Sequence, residues 1–205
     1  MARSRRSPIQ LAERIFRCKN GTMRTRDALQ AGIHPRTLYA MRDRGIIEPV
    51  ARGLYRLADL PPLGDPDLVS VAMKVPSAIV CLISALAFHE MTTQVPHEVW
   101  IALDRGTERP RLKHPPLRVC RFSGRAFTEG CETHTIDGVP VRVYSPEKTV
   151  ADCFKYRNAV GLDVALEALR LLLKRGRPDT DSVMRYARVC RVEKVMRPYL
   201  EALLS

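Results

Sequence analysis

The sequence predicts an α+β protein in two parts. An N-terminal winged helix-turn-helix comes first, followed by a mixed α/β C-terminal domain with a small antiparallel sheet and a C-terminal helical part. Three observations carry this expectation. Residues 22–57, TMRTRDALQAGIHPRTLYAMRDRGIIEPVARGLYRL, set two short helix patterns around Gly32 and two short strand patterns around Arg52-Gly53. Residues 58–66, ADLPPLGDP, make a stiff, non-helical connection. Four later segments rich in β-branched and aromatic residues then alternate with helical patterns. At 205 residues there is room for one large domain or two small ones, each with its own core. The expected division is 1–57, a linker at 58–65, and 66–205.

Taken in order, residues 1–7 read as a basic, disordered arm. Pro8 opens a helix through Lys19, in which Ile9, Ala12, Ile15 and Phe16 form an apolar stripe at i, i+3, i+4 spacing. Asn20-Gly21 closes it. Thr25 is placed to cap a short helix, Arg26 to Ala31, because its hydroxyl can accept an orphan backbone N–H. Gly32 ends that helix in the left-handed conformation. Pro35 suits the first turn of the next helix, where its missing N–H is not needed, and Gly45 ends it. Two short helices joined by a few residues that include glycine are the helix-turn-helix pattern. Ile46–Val50 and Leu54–Leu57, around a glycine-containing turn, form the wing.

On the second helix, Leu38, Met41 and Gly45 share the inward side at 3.6 residues per turn. Arg36, Tyr39, Ala40, Asp43 and Arg44 spread over the other side, with Thr37 at its edge and Arg42 nearer the core. Arginine can pair with guanine, threonine or alanine can touch a thymine methyl, and cationic side chains neutralise phosphates. Arg52 at the wing tip and Arg56 on its second strand extend this face as phosphate or minor-groove contacts; for Arg56 an exposed strand charge is the competing explanation. Asp43 is dissonant: it orients Arg36 or Arg44, accepts from cytosine, or weakens phosphate binding.

Charge supports an anionic partner for this part of the chain. The net charge is +12. Residues 1–57 hold 13 Lys/Arg against 4 Asp/Glu, a net of +9, which leaves +3 for the remaining residues. Nucleic acid fits such asymmetry on a helix-turn-helix better than a membrane does.

Beyond the linker, a helix from Asp65 or Asp67 reaches Val75 and is stopped by Pro76. The run AIVCLISALAFHEM reads as a buried helix through His89, itself a core or rim histidine rather than a base. VWIAL (99–103), LRVCRF (117–122), ETHTI (132–136) and VPVRVY (139–144) read as strands, the last two joined by Asp137-Gly138, a strong hairpin signal. The loop 104–116 is basic and proline-rich. Trp100 is a core residue under the sheet. Ser145-Pro146-Glu147 is a well-formed helix start, with Val150, Ala151 and Phe154 inward and Asp152 exposed or bonded to a neighbouring turn. Three basic helices follow near 162–175, 179–190 and 192–204, broken at Gly176-Arg-Pro178 and near Val192. Their cations form a solvated face, or a surface for RNA or an acidic protein.

Some chemistry is unsupported by motif. The six cysteines are scattered without a CxxC pair, so reduced thiols and a cytosolic location are expected. Cys120, Cys131 and His134 match no common zinc spacing, and no metal or other cofactor is expected. The N-terminus is basic without an apolar segment after it, and no run is long enough to span a bilayer, so neither a secretory leader nor a membrane partner is expected. No nucleophile triad, paired-carboxylate motif or phosphate loop is present, and no catalytic residue is assigned.

The pieces RDALQAGIHPRTLYAMRDRGIIEPVARGLYRL, VCLISALAFHEM, VWIAL and YSPEKTVADCFKYR together resemble the AbiEi-type antitoxins of bacterial abortive-infection operons. The resemblance spans about Thr22 to Leu173. It implies a winged helix that represses its own operon at inverted repeats in double-stranded DNA, and a C-terminal antitoxin domain at 66–205. That domain would suppress a partner nucleotidyltransferase toxin without a stable complex, and a protein monomeric in solution would place two copies on DNA. The family's DNA-contacting positions map onto Arg36, Thr37, Tyr39, Ala40, Arg44, Arg52 and Arg56. Its basic C-terminal surface maps loosely onto Arg170 to Arg197, with Arg170, Lys174, Arg175, Arg185 and Arg188 as the antitoxin surface. A stand-alone regulator with a ligand-binding or assembly domain is the alternative, and a nucleic-acid-processing enzyme a third.

Overall fold

The computed structural model describes residues 7–61, 64–175 and 179–204; the basic arm at 1–6, two linker residues and the 176–178 break lie outside the described residues. Contacts divide the chain into two compact units. The first takes the chain to Lys74 together with Thr135–Pro140, and the second takes Val75–His134 and the chain from Val141 onward.

In the first unit the order is α1 (Pro8–Cys18), β1 (Thr22–Arg24), α2 (Thr25–Gln30), α3 (Pro35–Asp43), β2 (Ile47–Ala51), β3 (Leu54–Leu57) and α4 (Pro66–Lys74). Helix α1 starts with a capping box, Ser7 and Gln10 each accepting from the other's backbone N–H. Its stripe seats Ala12 and Phe16 in the core, with Ile9 and Ile15 packed at the edge. Gly32 (φ 89°) and Gly45 (φ 67°) end α2 and α3 in the left-handed region, as their types foretell. Leu38 and Met41 are buried between α1 and the sheet, whereas Gly45 is exposed. The sheet is antiparallel, ordered β1-β3-β2, with an irregular register between Pro49 and Ala51.

Three local expectations change here. Strand β1 was unforeseen. Thr25 is not a cap: its backbone N–H donates to Gly53 O at 2.9 Å, so the residue ties the wing turn to the start of α2. Helix α4 lies beyond the expected linker yet packs against β2, which is why contacts group it with the first unit.

The second unit is built on a five-stranded sheet ordered β6-β5-β4-β8-β7, from β4 (Ile79–Val80), β5 (Val99–Asp104), β6 (Leu117–Phe122), β7 (Cys131–Ile136) and β8 (Val139–Tyr144). Its pairing is mixed rather than antiparallel throughout, since β5 runs parallel to β6 and β4 parallel to β8. Long connections, through residues 105–116 and through several elements, allow these parallel neighbours. Residues 77–89 are not one helix. Ile79-Val80 is a two-residue central strand, and Cys81 then occupies the N-cap position of α5 (Leu82–Phe88) without a side-chain capping bond. Among the remaining helices are α6 (Arg125–Thr128), α7 (Pro146–Lys155), α8 (Arg157–Val160), α9 (Leu162–Lys174), α10 (Thr180–Val189) and α11 (Glu193–Leu204). Ser145 caps α7, accepting from the Lys148 N–H, and Val150, Ala151 and Phe154 point into the core as their spacing requires. Trp100 is buried in the same core.

Candidate nucleic-acid interface

Helix α3 presents its polar side to solvent. His34, just before Pro35, caps it through Nδ1, which accepts from the Arg36 N–H at 3.2 Å. Arg36, Tyr39 and Arg44 are exposed, and Thr37 and Ala40 are half-buried. Arg36, Tyr39, Ala40 and Asp43 follow i, i+3, i+4, i+7 spacing and share one face, while Arg44 closes the C-terminal end. Arg52 sits exposed at the wing turn, held there by the Gly53 carbonyl to which Thr25 donates. Among the described residues no carboxylate pairs with Arg36, Arg44 or Arg52. Such unneutralised guanidinium groups on one helix face and on its wing can meet phosphates and base edges.

Asp43 is accounted for differently from the sequence expectation. It engages Arg42, accepting from Nε at 2.9 Å and Nη2 at 2.7 Å, rather than orienting Arg36 or Arg44. Arg42 in turn lies 5.2 Å from the Tyr39 ring centroid and is exposed, not core-facing. The acid and its neighbour thus neutralise each other within the reading helix.

Arg56 has to be withdrawn from the DNA-contacting set. It is 4% exposed, its Nη2 donates to the Pro61 carbonyl, and Glu48 on the paired strand stands 3.5 Å from Nη1. Alternation on β3 turns Leu54 and Arg56 inward together, so the guanidinium stitches the wing to the segment after it. Arg56→Ala is therefore expected to lower the unfolding midpoint, since it removes a hydrogen bond from a charged, buried donor worth about 1.5–3 kcal/mol. DNA affinity per folded molecule should change little. A gel-shift titration corrected for folded fraction checks this, and a tenfold affinity loss at unchanged midpoint would restore Arg56 to the interface.

The five residues assigned to an antitoxin surface do not behave alike. Arg170 and Lys174 are exposed on α9. Arg175 is tied to the end of α5, its Nη2 donating to the His89 and Glu90 carbonyls. Arg185 lies over the Tyr186 ring, 4.6 Å from its centroid, and donates to the Tyr186 hydroxyl at 2.9 Å. Arg188 is exposed without an ion-pair partner among the described residues.

Other residues considered for chemistry are structurally occupied. His89 Nε2 lies 2.7 Å from the Tyr144 carbonyl, and burial pushes its pKa down, so the ring is neutral and donates that bond. Cys120 is buried, His134 bonds Glu132 at 3.2 Å, and all six cysteines are free thiols. Among the described residues no group of three or more His, Cys, Asp or Glu could hold a metal ion, and no helix is long and apolar enough to cross a membrane.

Residues 10–58 match the family model described as "Transcriptional regulator, AbiEi antitoxin", a stretch that runs from α1 through β3. No curated protein matches the sequence. Among solved structures, the RV2827C protein from Mycobacterium tuberculosis is similar over 98% of this chain and 83% of its own, with a TM-score of 0.55 at 14% identity. At that identity the similarity concerns the fold.

Proposed function

We propose that the chain is a DNA-binding autorepressor and antitoxin, in which the winged helix reads an operator in its own promoter and the second unit counteracts a nucleotidyltransferase toxin encoded beside it. The observation that carries this is the coincidence of the AbiEi-regulator match at residues 10–58 with an exposed helix and wing whose Arg36, Arg44 and Arg52 lack ion-pair partners among the described residues. Arg36, Thr37, Tyr39, Ala40, Arg44 and Arg52 are the proposed contacts. Inverted repeats suit a protein that is monomeric in solution and places two copies on DNA. Suppression without a stable antitoxin–toxin complex, through cations such as Arg170, Lys174, Arg185 and Arg188, belongs to the same proposal, as does a cytoplasmic location and the absence of catalysis.

Growth tests it directly. The neighbouring toxin gene is expressed alone, with the full chain, and with a chain carrying Arg36→Ala and Arg44→Ala. Arrest relieved by both chains, with promoter repression lost only in the second, is the expected result. Arrest relieved by neither soluble chain would overturn the antitoxin role and leave a stand-alone regulator whose second unit binds a ligand or mediates assembly.

A further inference from the structure

The second unit holds a cleft of ≈ 910 Å³ whose walls carry six cations: Arg105, Arg125, Lys155, Arg157, Arg188 and Arg191. None of the described residues lining it is acidic. They arrive from separate places in the chain: the end of β5, the start of α6, the α7–α8 junction, and the corner between α10 and α11. Arg125 is partnered by Glu129, and Arg157 donates to the Phe154 carbonyl at 2.9 Å. Among the described residues no carboxylate pairs with Arg105, Lys155, Arg188 or Arg191. Four unneutralised cations converging on one concavity repel one another, and an anion relieves that repulsion.

Arg191 adds an independent indication. It occupies the residue after the C-cap of α10 with φ 60°, where its N–H donates to Arg188 O and the next N–H, from Val192, to Ala187 O. Glycine is the usual residue at such a left-handed helix end, and a side chain there costs stability. An exposed arginine that keeps this strained conformation while lining a basic cleft adds a guanidinium where an anion can be held.

We propose that this cleft binds the phosphate chain of a nucleoside triphosphate. The volume falls within the range of about 300–1,000 Å³ typical of small-molecule sites, and cations close around it from several elements instead of forming a stripe. A multiply charged, compact phosphate chain satisfies that arrangement, with guanidinium groups able to bind two oxygens each. A nucleic-acid strand needs a groove that tracks its backbone. The proposal does not depend on operator binding or on toxin suppression.

Calorimetric titration of the full chain without divalent cations tests it, using ATP, AMP, adenosine, inorganic triphosphate and a 12-mer single-stranded RNA. ATP and inorganic triphosphate should bind, AMP at least about tenfold more weakly, and adenosine not at all, since each charge-assisted contact accounts for roughly tenfold. Arg191→Gly should weaken ATP about tenfold while keeping or raising the unfolding midpoint, which separates binding from folding. Arg105→Gln should weaken it similarly with unchanged circular dichroism. Wild-type ATP affinity in both variants, or equal binding of adenosine and ATP, overturns the proposal. RNA binding without ATP binding overturns it too, in favour of a strand-tracking surface.

Discussion

Replacing Lys148 by Met is expected to cost about 4 kcal/mol of stability near neutral pH and almost nothing near pH 4. Lys148 Nζ lies 2.5 Å from Asp152 Oδ2 with both side chains fully buried, a pair one helical turn apart on α7. The ammonium stands 4.1 Å from the Tyr144 ring centroid and 5.0 Å from that of Phe122, and Cys190 Sγ donates to Asp152 Oδ1 at 3.1 Å. Burial raises the Asp152 pKa, and Lys148 only partly pulls it back down. Without Lys148, the carboxyl can remain buried only by taking a proton. From an ordinary carboxylate pKa near 3.9, holding that proton at pH 7 costs about 3 units at 1.36 kcal/mol each. The loss is capped near 4 kcal/mol, within the range of about 3–5 kcal/mol seen when one member of a buried pair is removed.

The sign of the pH dependence follows. In Lys148→Met the folded state binds a proton that the unfolded state releases, so stability falls as pH rises from about 4 to 7. In Asp152→Asn the carboxyl that takes that proton is gone, so this fall of stability with rising pH should be absent. The two single variants should therefore have different pH slopes between about 5 and 7. The double variant Lys148→Met/Asp152→Leu should recover most of the stability, because it buries no charge. Urea unfolding across that pH range measures all three. Parallel slopes, or a double variant as weak as either single one, would mean that the pair is not the buried ion pair described.

What was legible in the sequence shared one property: its cause lay within a few residues. Ser145-Pro146 starts α7 and Asp137-Gly138 turns β7 into β8, with φ 49° and 76°, because cap and turn chemistry is local. The reading helix was legible for the same reason, down to Leu38 and Met41 on its inner side. Long-range causes were not. The three residues of β1 gain their strand conformation only from pairing with β3. Ile79-Val80 sits in an apolar run whose periodicity cannot distinguish a buried strand from a buried helix. Lys148 and Asp152 show the i, i+4 spacing of a surface pair, and nothing local says that α7 is buried on that side too. Arg56 looks like an exposed strand charge until the Pro61 carbonyl and Glu48 are seen to enclose it. The basic cleft is assembled from segments that span 105 to 191, so spacing in the chain carries no trace of it.

Simultaneous replacement of Arg36, Arg44 and Arg52 by Ala should reduce operator binding to the level of unrelated DNA while leaving the fold intact. All three side chains are exposed, and none has an ion-pair partner among the described residues, so truncation should shift stability by no more than about 0.5 kcal/mol. A base-reading arginine contributes about 1–3 kcal/mol of discrimination. Two or three such losses approach the roughly 4–10 kcal/mol that separates specific from non-specific binding. The single variants assign roles. A base-reading residue, expected at Arg36 on the exposed face of α3, should lose preference for the operator over a mutated site while keeping its salt dependence. A phosphate-contacting residue, expected at Arg52 on the wing, should weaken both DNAs equally and lower the slope of log affinity against log salt by about 0.9. Fluorescence anisotropy at several salt concentrations separates these outcomes. If all three single variants bind as the parent does, α3 and the wing do not form the reading face. The Arg42–Asp43 pair supplies an internal control on α3 itself: its charges already cancel, so removing both in Arg42→Ala/Asp43→Ala should affect binding less than Arg36→Ala.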